Sequence, residues 1–292
     1  MNISSVKIIA CASFALLAFA GNSILCRLAL GGASIDAASF TIIRLLSGVV
    51  VLAVILKMFN SNRQSPSKGS WFASFMLFLY ALTFSFAYVS LDTGTGALIL
   101  FGAVQLTMIL ASLFSGNKLH FFEWTGMAIA FIGFAYLVAP SLTSPSLTGF
   151  ILMTISGIAW AFYTLRGRAS INPISDTAYN FFRTVPFVIV LIAITFRGAS
   201  LSEQGIFLAV LSGALASGAG YAVWYIALRG LSITQAAVIQ LFVPVIAAIG
   251  GVIFANEIIS LRLVVSTVMV LGGILTVVLG RYIFIHLSTS KK

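Results

Sequence analysis

Ten stretches of mostly apolar residues follow one another along this chain, at roughly 7–29, 37–59, 70–90, 95–115, 122–139, 148–167, 177–196, 204–227, 235–254 and 261–283. Each is close to the ~20 residues that an α-helix needs to cross a bilayer core. The runs are apolar on every side and lack the strict alternation of membrane β-strands. The breaks between them carry turn chemistry, such as Gly31-Gly32, Gly116-Asn117-Lys118 and Asn172-Pro173. The expected fold is all-α and integral to the membrane, with ten transmembrane helices. Composition agrees: 60% of residues are hydrophobic and 8% charged, against about 25% charged in soluble domains.

The net charge of +10 suggests nucleic acid until the cations are placed. They stand singly between apolar runs and form no basic stripe, so the expected partner is the lipid bilayer and not nucleic acid. With the N-terminus inside, the inner side collects Lys7, Lys57, Arg63, Lys68, Lys118, Arg166, Arg168, Arg229, Arg281, Lys291 and Lys292. The outer side collects Arg27, Arg197 and Arg262. This bias predicts cytoplasmic termini in a cell (inner) membrane. Lys7 and the apolar run to Phe19 have the outline of a secretory signal. The run continues to about Leu30 and has a counterpart later in the chain, so we read it as a retained span. Cys11 and Cys26 both fall in that first run and read as small packing residues, not a disulfide framework.

The chain repeats itself. Residues 149–183 set under 10–44 place Ala159-Trp160-Ala161 on Ala18-Phe19-Ala20, Arg168 on Arg27, Asp176 on Asp36 and Arg183 on Arg44. Further along, Tyr225 matches Tyr88 and Glu257 falls on Lys118. Two units are expected, 1–142 and 143–292, of five helices each. Five is odd, so the second unit enters the membrane inverted. Inverted repeats build secondary transporters with a substrate site at the seam. The acids Asp36, Glu123, Asp176 and Glu203 each open or precede an apolar run, where carboxylates cap helices.

Polar groups inside spans are costly and face a cavity or another helix. No Asp, Glu or His stands mid-span, and His120 and His286 lie at ends. Neither a buried-carboxylate proton relay nor a metal-ligand spacing is available, so no metal or cofactor is expected. Tyr80, Phe84 and Tyr88 share one helix face at i, i+4 and i+8. Trp160 with Tyr163, and Tyr221 with Trp224 and Tyr225, form two further clusters. Such rings can stack on an apolar group while their polar tips bond it, or they can simply pack. Tyr88 and Tyr225 lie near span ends and read as an interfacial belt. Asn22, Gln105 and Gln240 are mid-span amides, able to serve a zwitterion or to bond a neighbouring helix. Arg44 and Arg183 lie inside spans and are read as gating or structural charges. Their long stems can snorkel outward or bond a carbonyl, which is the expected use, or they can draw an anionic group toward the pore. Pro186 and Pro244 interrupt the seventh and ninth spans. Gly213, Gly218, Gly220, Gly250 and Gly251 permit close helix approach.

The run SFTIIRLLSG (39–48) resembles the second-helix signature of EamA-type members of the drug/metabolite transporter superfamily. AAVIQLFVPVIAAIGGVIFANEIIS (236–260) is similar to that family's fourth helix and the acidic turn after it. The first copy departs from the pattern, with Lys118 opposite Glu257 and Val104 opposite Pro244. The aromatic-rich interior looks most like the YddG-type exporters of aromatic and other amino acids. The resemblance implies ten helices around a central cavity and efflux of a small, amino-acid-like substrate by alternating access. The residues expected to line that site are Asn22, Tyr80, Phe101, Gln105, Trp160, Tyr163, Tyr221, Trp224 and Gln240.

Two other readings were weighed on the residues. An exporter of lipophilic cations could use the rings for cation–π contacts, but no buried carboxylate offsets the charge. An intramembrane enzyme lacks a base to activate any of the serines, so no catalytic residue is assigned. No P-loop is present, so ATP is not used directly. Coupling to protons and the oligomeric state stay open, and a monomer suffices for the site.

Overall fold

The computed structural model describes residues 5–59, 68–114, 121–139, 145–167, 170, 172–228, 230–231 and 233–289. Arg63, Gln64, Lys118, His120, Ser144, Arg168, Arg229, Lys291 and Lys292 lie outside them, as do the side chains of Tyr225, Arg281 and His286.

Ten described helices are long and apolar enough to cross a membrane: α1 Val6–Gly31, α2 Ala37–Met58, α3 Trp71–Tyr88, α4 Thr93–Phe114, α5 Phe121–Val138, α6 Leu147–Gly167, α7 Ile174–Gly198, α8 Glu203–Leu228, α9 Val238–Ala255 and α10 Leu261–Gly280. Among the described residues there is no strand, only an isolated bridge between Ile35 and Leu201. Helices suit these runs because each satisfies its own backbone amides, which hydrocarbon cannot. Side chains do the same where they are polar. The hydroxyls of Thr83, Ser85, Thr107 and Thr164 donate to the carbonyls four residues earlier, at 2.7–2.9 Å. That removes them from the list of groups needing a ligand.

Helix starts are fixed by short polar side chains. Ser70 accepts from the amide of Ala73, Ser202 from Gly205, Ser260 from Leu263 and Asn172 from Ser175. Asp36 caps α2 through the amide of Ser39. Asp176 departs from its expected role as a cap, because its own helix is capped by Asn172. Its carboxylate reaches Gly69 instead. Glu203 sits one residue inside the helix that Ser202 caps.

Three spans are irregular. Pro186 has no N–H for the carbonyl of Phe182, and α7 breaks at Arg183–Thr184. Pro244 likewise leaves the carbonyl of Gln240 free, and α9 breaks at Leu241. In α8, Ser212–Ala219 winds as a π-helix, which the glycines at 213 and 218 in that stretch accommodate.

Packing follows a paired scheme. α1 packs on α8 and α9, while α6 packs on α3 and α4. α4 meets α9, α5 meets α10 and α2 meets α7. Exchanging helices 1–5 with 6–10 maps this set of pairs onto itself. Small residues set the spacing: a Cβ on Gly126 would run into the backbone of Gly273, and one on Gly273 into Gly126.

The connections sort onto two ends. At the first, residues 34–36 bond residues 200–202, Arg27 bonds Asp92 and Glu257, and Arg262 bonds the carbonyls of Leu137 and Ala139. At the second, Gly69 and Ser70 bond Asp176 and Asn180, and Arg183 bonds the carbonyl of Lys68.

Candidate functional site

Near the midpoints of five helices, aromatic rings converge on one point. Phe19 comes from α1, Tyr80 and Phe84 from α3, Phe101 from α4, Trp160 from α6 and Tyr221 from α8. Trp160 is the hub. Its ring centre lies 4.8 Å from Tyr221, 4.9 Å from Tyr80, 5.3 Å from Tyr163 and 6.5 Å from Phe19. The space left between them is about 10 Å3, enough for a single water. As it stands the space is too small for a substrate the size of an amino acid.

A polar seam runs along one wall. The Ser212 hydroxyl donates to Asn22 Oδ1 at 2.6 Å, and Asn22 Nδ2 donates to the Tyr80 hydroxyl at 3.3 Å. Arg44 Nη2 also donates to that hydroxyl, at 2.9 Å, and Arg44 Nε donates to the Ser217 hydroxyl at 3.4 Å. Asn22, Arg44 and Tyr80 belong to the first five helices, and Ser212 and Ser217 to the π-stretch of α8. The seam therefore ties the two groups of helices together at mid-depth.

Arg44 corrects the expectation that it snorkels or bonds a carbonyl. Its side chain is 1% exposed and lies 4.8 Å from the Phe84 ring centre and 5.1 Å from that of Tyr80. Arg183 does what was expected of both arginines. It ends the first piece of α7, bonds the Lys68 carbonyl and covers Trp71, and it does not line the central space. The two differ because Pro186 breaks α7 beside Arg183, whereas α2 runs unbroken past Arg44.

Of the other expected site residues, Asn22, Tyr80, Phe101, Trp160 and Tyr221 line the central space. Tyr163 and Trp224 stand one shell back, against Trp160 and Phe19. Gln105 and Gln240 are buried but do not line it. Tyr88 corrects the belt reading: it is fully buried, meets the Phe84 ring edge-to-face at 4.8 Å between centres and donates to the Thr93 carbonyl. Phe19, Phe84, Ser212 and Ser217 were not among the expected site residues. Phe19 had a signal, since the internal repeat sets it under Trp160. The serines had none, because a π-turn decides where they point.

A second space, about 420 Å3, lies at the first end and is lined by Ser90, Asp92, Thr95, Ser146, Glu257 and Ser260 among others. Beside it, Arg27 joins two acids, Nε to Glu257 at 3.0 Å and Nη2 to Asp92 at 3.2 Å. Glu257 also accepts from the Thr93 amide and hydroxyl, so it caps α4 from the turn after α9. Nearby, Asp36 is half-buried. Burial pushes its pKa up, but the amides of Ser39 and Ser200 outweigh that and hold it below the usual 3.8. Among the described residues no three His, Cys, Asp or Glu side chains gather as metal ligands.

The EamA-like transporter family matches residues 147–279, which run from α6 to the end of α10. An uncharacterized protein of Pseudomonas aeruginosa is 47% identical over 91% of this chain and 93% of its own length. An uncharacterized transporter of Archaeoglobus fulgidus is 28% identical, covering 70% of this chain and 74% of itself. The uncharacterized transporter YxxF of Bacillus subtilis is also 28% identical, over 59% of this chain and 57% of itself. A solved crystal structure, 14% identical, superimposes with a TM-score of 0.61 over 94% of this chain and 98% of its own, so it shares the fold. Ten apolar helices among the described residues around a buried aromatic centre, a 47% identical relative of almost the same length and the family match lead to one assignment: the chain belongs to the EamA-like transporter family and is a multi-pass membrane transporter.

Proposed function

We propose that this transporter exports small amphipathic metabolites, above all amino acids including aromatic ones, as the YddG-type exporters do. The observation that carries the reading is the ring cluster around Trp160, bordered by the Asn22–Tyr80 seam. Rings grip an apolar or aromatic side chain, while the seam offers hydroxyl and amide groups to its polar end. Residues 1–142 and 143–292 act as two inverted five-helix units in a cell (inner) membrane, with both termini cytoplasmic. Rocking of one unit against the other opens the centre to each side in turn. The self-mapping set of helix pairs supports this mechanism. Export of lipophilic cations fits less well, because a buried guanidinium stands beside the rings.

The test is flux of labelled phenylalanine and threonine in proteoliposomes. Uptake above that of empty vesicles is expected, and equal rates for every amino acid would falsify the proposal. Repeating the flux with and without an imposed pH gradient separates facilitated diffusion from proton exchange.

A further inference from the structure

The centre of this protein holds a positive charge that no residue of the chain balances. Arg44 is buried, and of its three guanidinium nitrogens Nε and Nη2 have hydroxyl partners while Nη1 has none. The chain has six acids, and all are elsewhere. Asp92 and Glu257 are held by Arg27, Asp36 by the amides of Ser39 and Ser200, and Asp176 by Gly69. Glu123 and Glu203 lie in the first turns of α5 and α8. A lone cation in a low-dielectric interior is costly, and the cost falls sharply when an anion joins it.

Geometry links that charge to the central space. The guanidinium lies over Tyr80 and Phe84, and both rings line the space. Its partner Ser217 follows Ala216, which also lines it. Asn22, a polar group on the wall, donates to the same Tyr80 hydroxyl that Arg44 bonds. Arg44 does not itself line the space, and the ring centres of Tyr80 and Phe84 are 5.4 Å apart, so an anionic oxygen meets Nη1, the nitrogen left unbonded, when those rings part.

We propose that Arg44 is the counter-ion for a carboxylate carried by the substrate. The site then selects carboxylates that bear an aromatic or apolar group, over the matching amides and amines. This rests on the reading that the ring cluster is the transport site, and it adds which end of the substrate is recognised by charge. The ammonium group of an amino acid has no carboxylate partner here and faces ring surfaces and hydroxyls, so it is dispensable for binding.

Binding of three matched probes to the purified full chain tests this, by quenching of tryptophan fluorescence with Trp160 in the site. The probes are hydrocinnamate, hydrocinnamamide and phenethylammonium. The carboxylate should bind at least about tenfold more tightly than the amide, since a bond to a charged group gains that much over a neutral one. Arg44→Gln should bring that ratio to about one and leave the amide's affinity within about twofold. Arg44→Lys should keep part of the preference. Equal binding of carboxylate and amide by the unaltered protein overturns the proposal, as does no saturable binding of hydrocinnamate. An equal loss of both ligands in Arg44→Gln also overturns it, because it marks a merely structural role. If Arg44→Gln does not stay monodisperse, the probe ratios of the unaltered protein and of Arg44→Lys decide. Arg44-dependent hydrocinnamate binding without flux of any amino acid would uphold this proposal while refuting amino acid export.

Discussion

Asp176 accepts the amide hydrogen of Gly69 at 2.7 Å, across 107 residues of sequence. The same device occurs at the opposite end, where Asp36 accepts the amide of Ser200 at 2.8 Å. In each case the acid at the start of the second helix of one group holds the segment that leads into the third helix of the other. Asp36 makes this bond titratable. Its pKa in the fold lies below the ordinary 3.8, so the stabilisation is complete above that value and fades as pH falls through the folded pKa. Thermal unfolding in detergent from pH 6 to pH 3 should show a loss of stability below about pH 4. In Asp36→Ala that acid-dependent loss should be smaller, and the starting stability at pH 6 lower. Parallel curves for the two proteins would refute the link.

Arg27 and Glu257 should behave as a coupled pair. Their bond joins α1 to the turn after α9, and the same carboxylate caps α4. Single changes Arg27→Gln and Glu257→Gln each leave a partly buried partner unsatisfied. The double change removes both at once, so its cost should fall short of the sum by about 0.5–3 kcal/mol. Glu257→Gln should be the more harmful single change, since it also weakens the cap on Thr93. A double-mutant cycle read by thermal unfolding checks both statements.

Trp160 touches four rings, and each such pair is worth about 0.5–1.5 kcal/mol beyond burial. Trp160→Ala should lower flux of an aromatic substrate by about tenfold or more, since it removes a ring contact to the substrate worth about 0.5–1.5 kcal/mol beyond the burial lost with it. Trp160→Phe should retain most of it. Size-exclusion profiles of the two variants should be alike, because Trp160 is only half-buried.

The ten-helix plan was legible because apolar length is a one-dimensional property. The site was partly legible, for the same reason that polar groups in a membrane are few. Asn22, Tyr80, Trp160 and Tyr221 stand out as mid-span polar or aromatic residues, and they meet with Phe101 around the central space. Arg44 was misread, since helix position alone does not say whether a long stem runs outward or inward. Its direction depends on α8, where a π-stretch presents Ser217, and nothing in the sequence period announces a π-turn. Tyr88 was misread for a related reason. It lies at a span end, but α4 turns back over it and supplies the Thr93 carbonyl. Phe19 was hidden by being apolar, and only the alignment with Trp160 could have raised it.

Two glycines separate close packing from mere tolerance. A Cβ on Gly213 would fall on the Arg44 carbonyl and the Ser47 hydroxyl, whereas one on Gly272 would meet nothing within 4 Å. Gly213→Ala should cost about 1–3 kcal/mol by forcing α8 off α2, and it should disturb the seam through Ser212 and Ser217. Gly272→Ala should be neutral or stabilising by up to about 1 kcal/mol, as alanine favours the helix. Unfolding midpoints measured side by side check the contrast.

The two-ended sorting of connections leads to the last prediction. The amides of Gly69 and Ser70, which follow the α2–α3 connection, donate to Asp176 and Asn180 in the first piece of α7. Leu137 and Ala139, which precede the α5–α6 connection, bond Arg262 at the start of α10. If the two five-helix units are inverted, Gln64 and Ser144 lie on opposite faces of the membrane, with Gln64 on the cytoplasmic side given the arginine and lysine bias. Single cysteines at these positions, placed in a version lacking Cys11 and Cys26, should differ in reaction with a membrane-impermeant maleimide on intact cells. Cysteine at 144 should label at once, and cysteine at 64 only after permeabilisation. Labelling of both from outside would mean that an even number of crossings separates them, and an even number cannot invert the second unit.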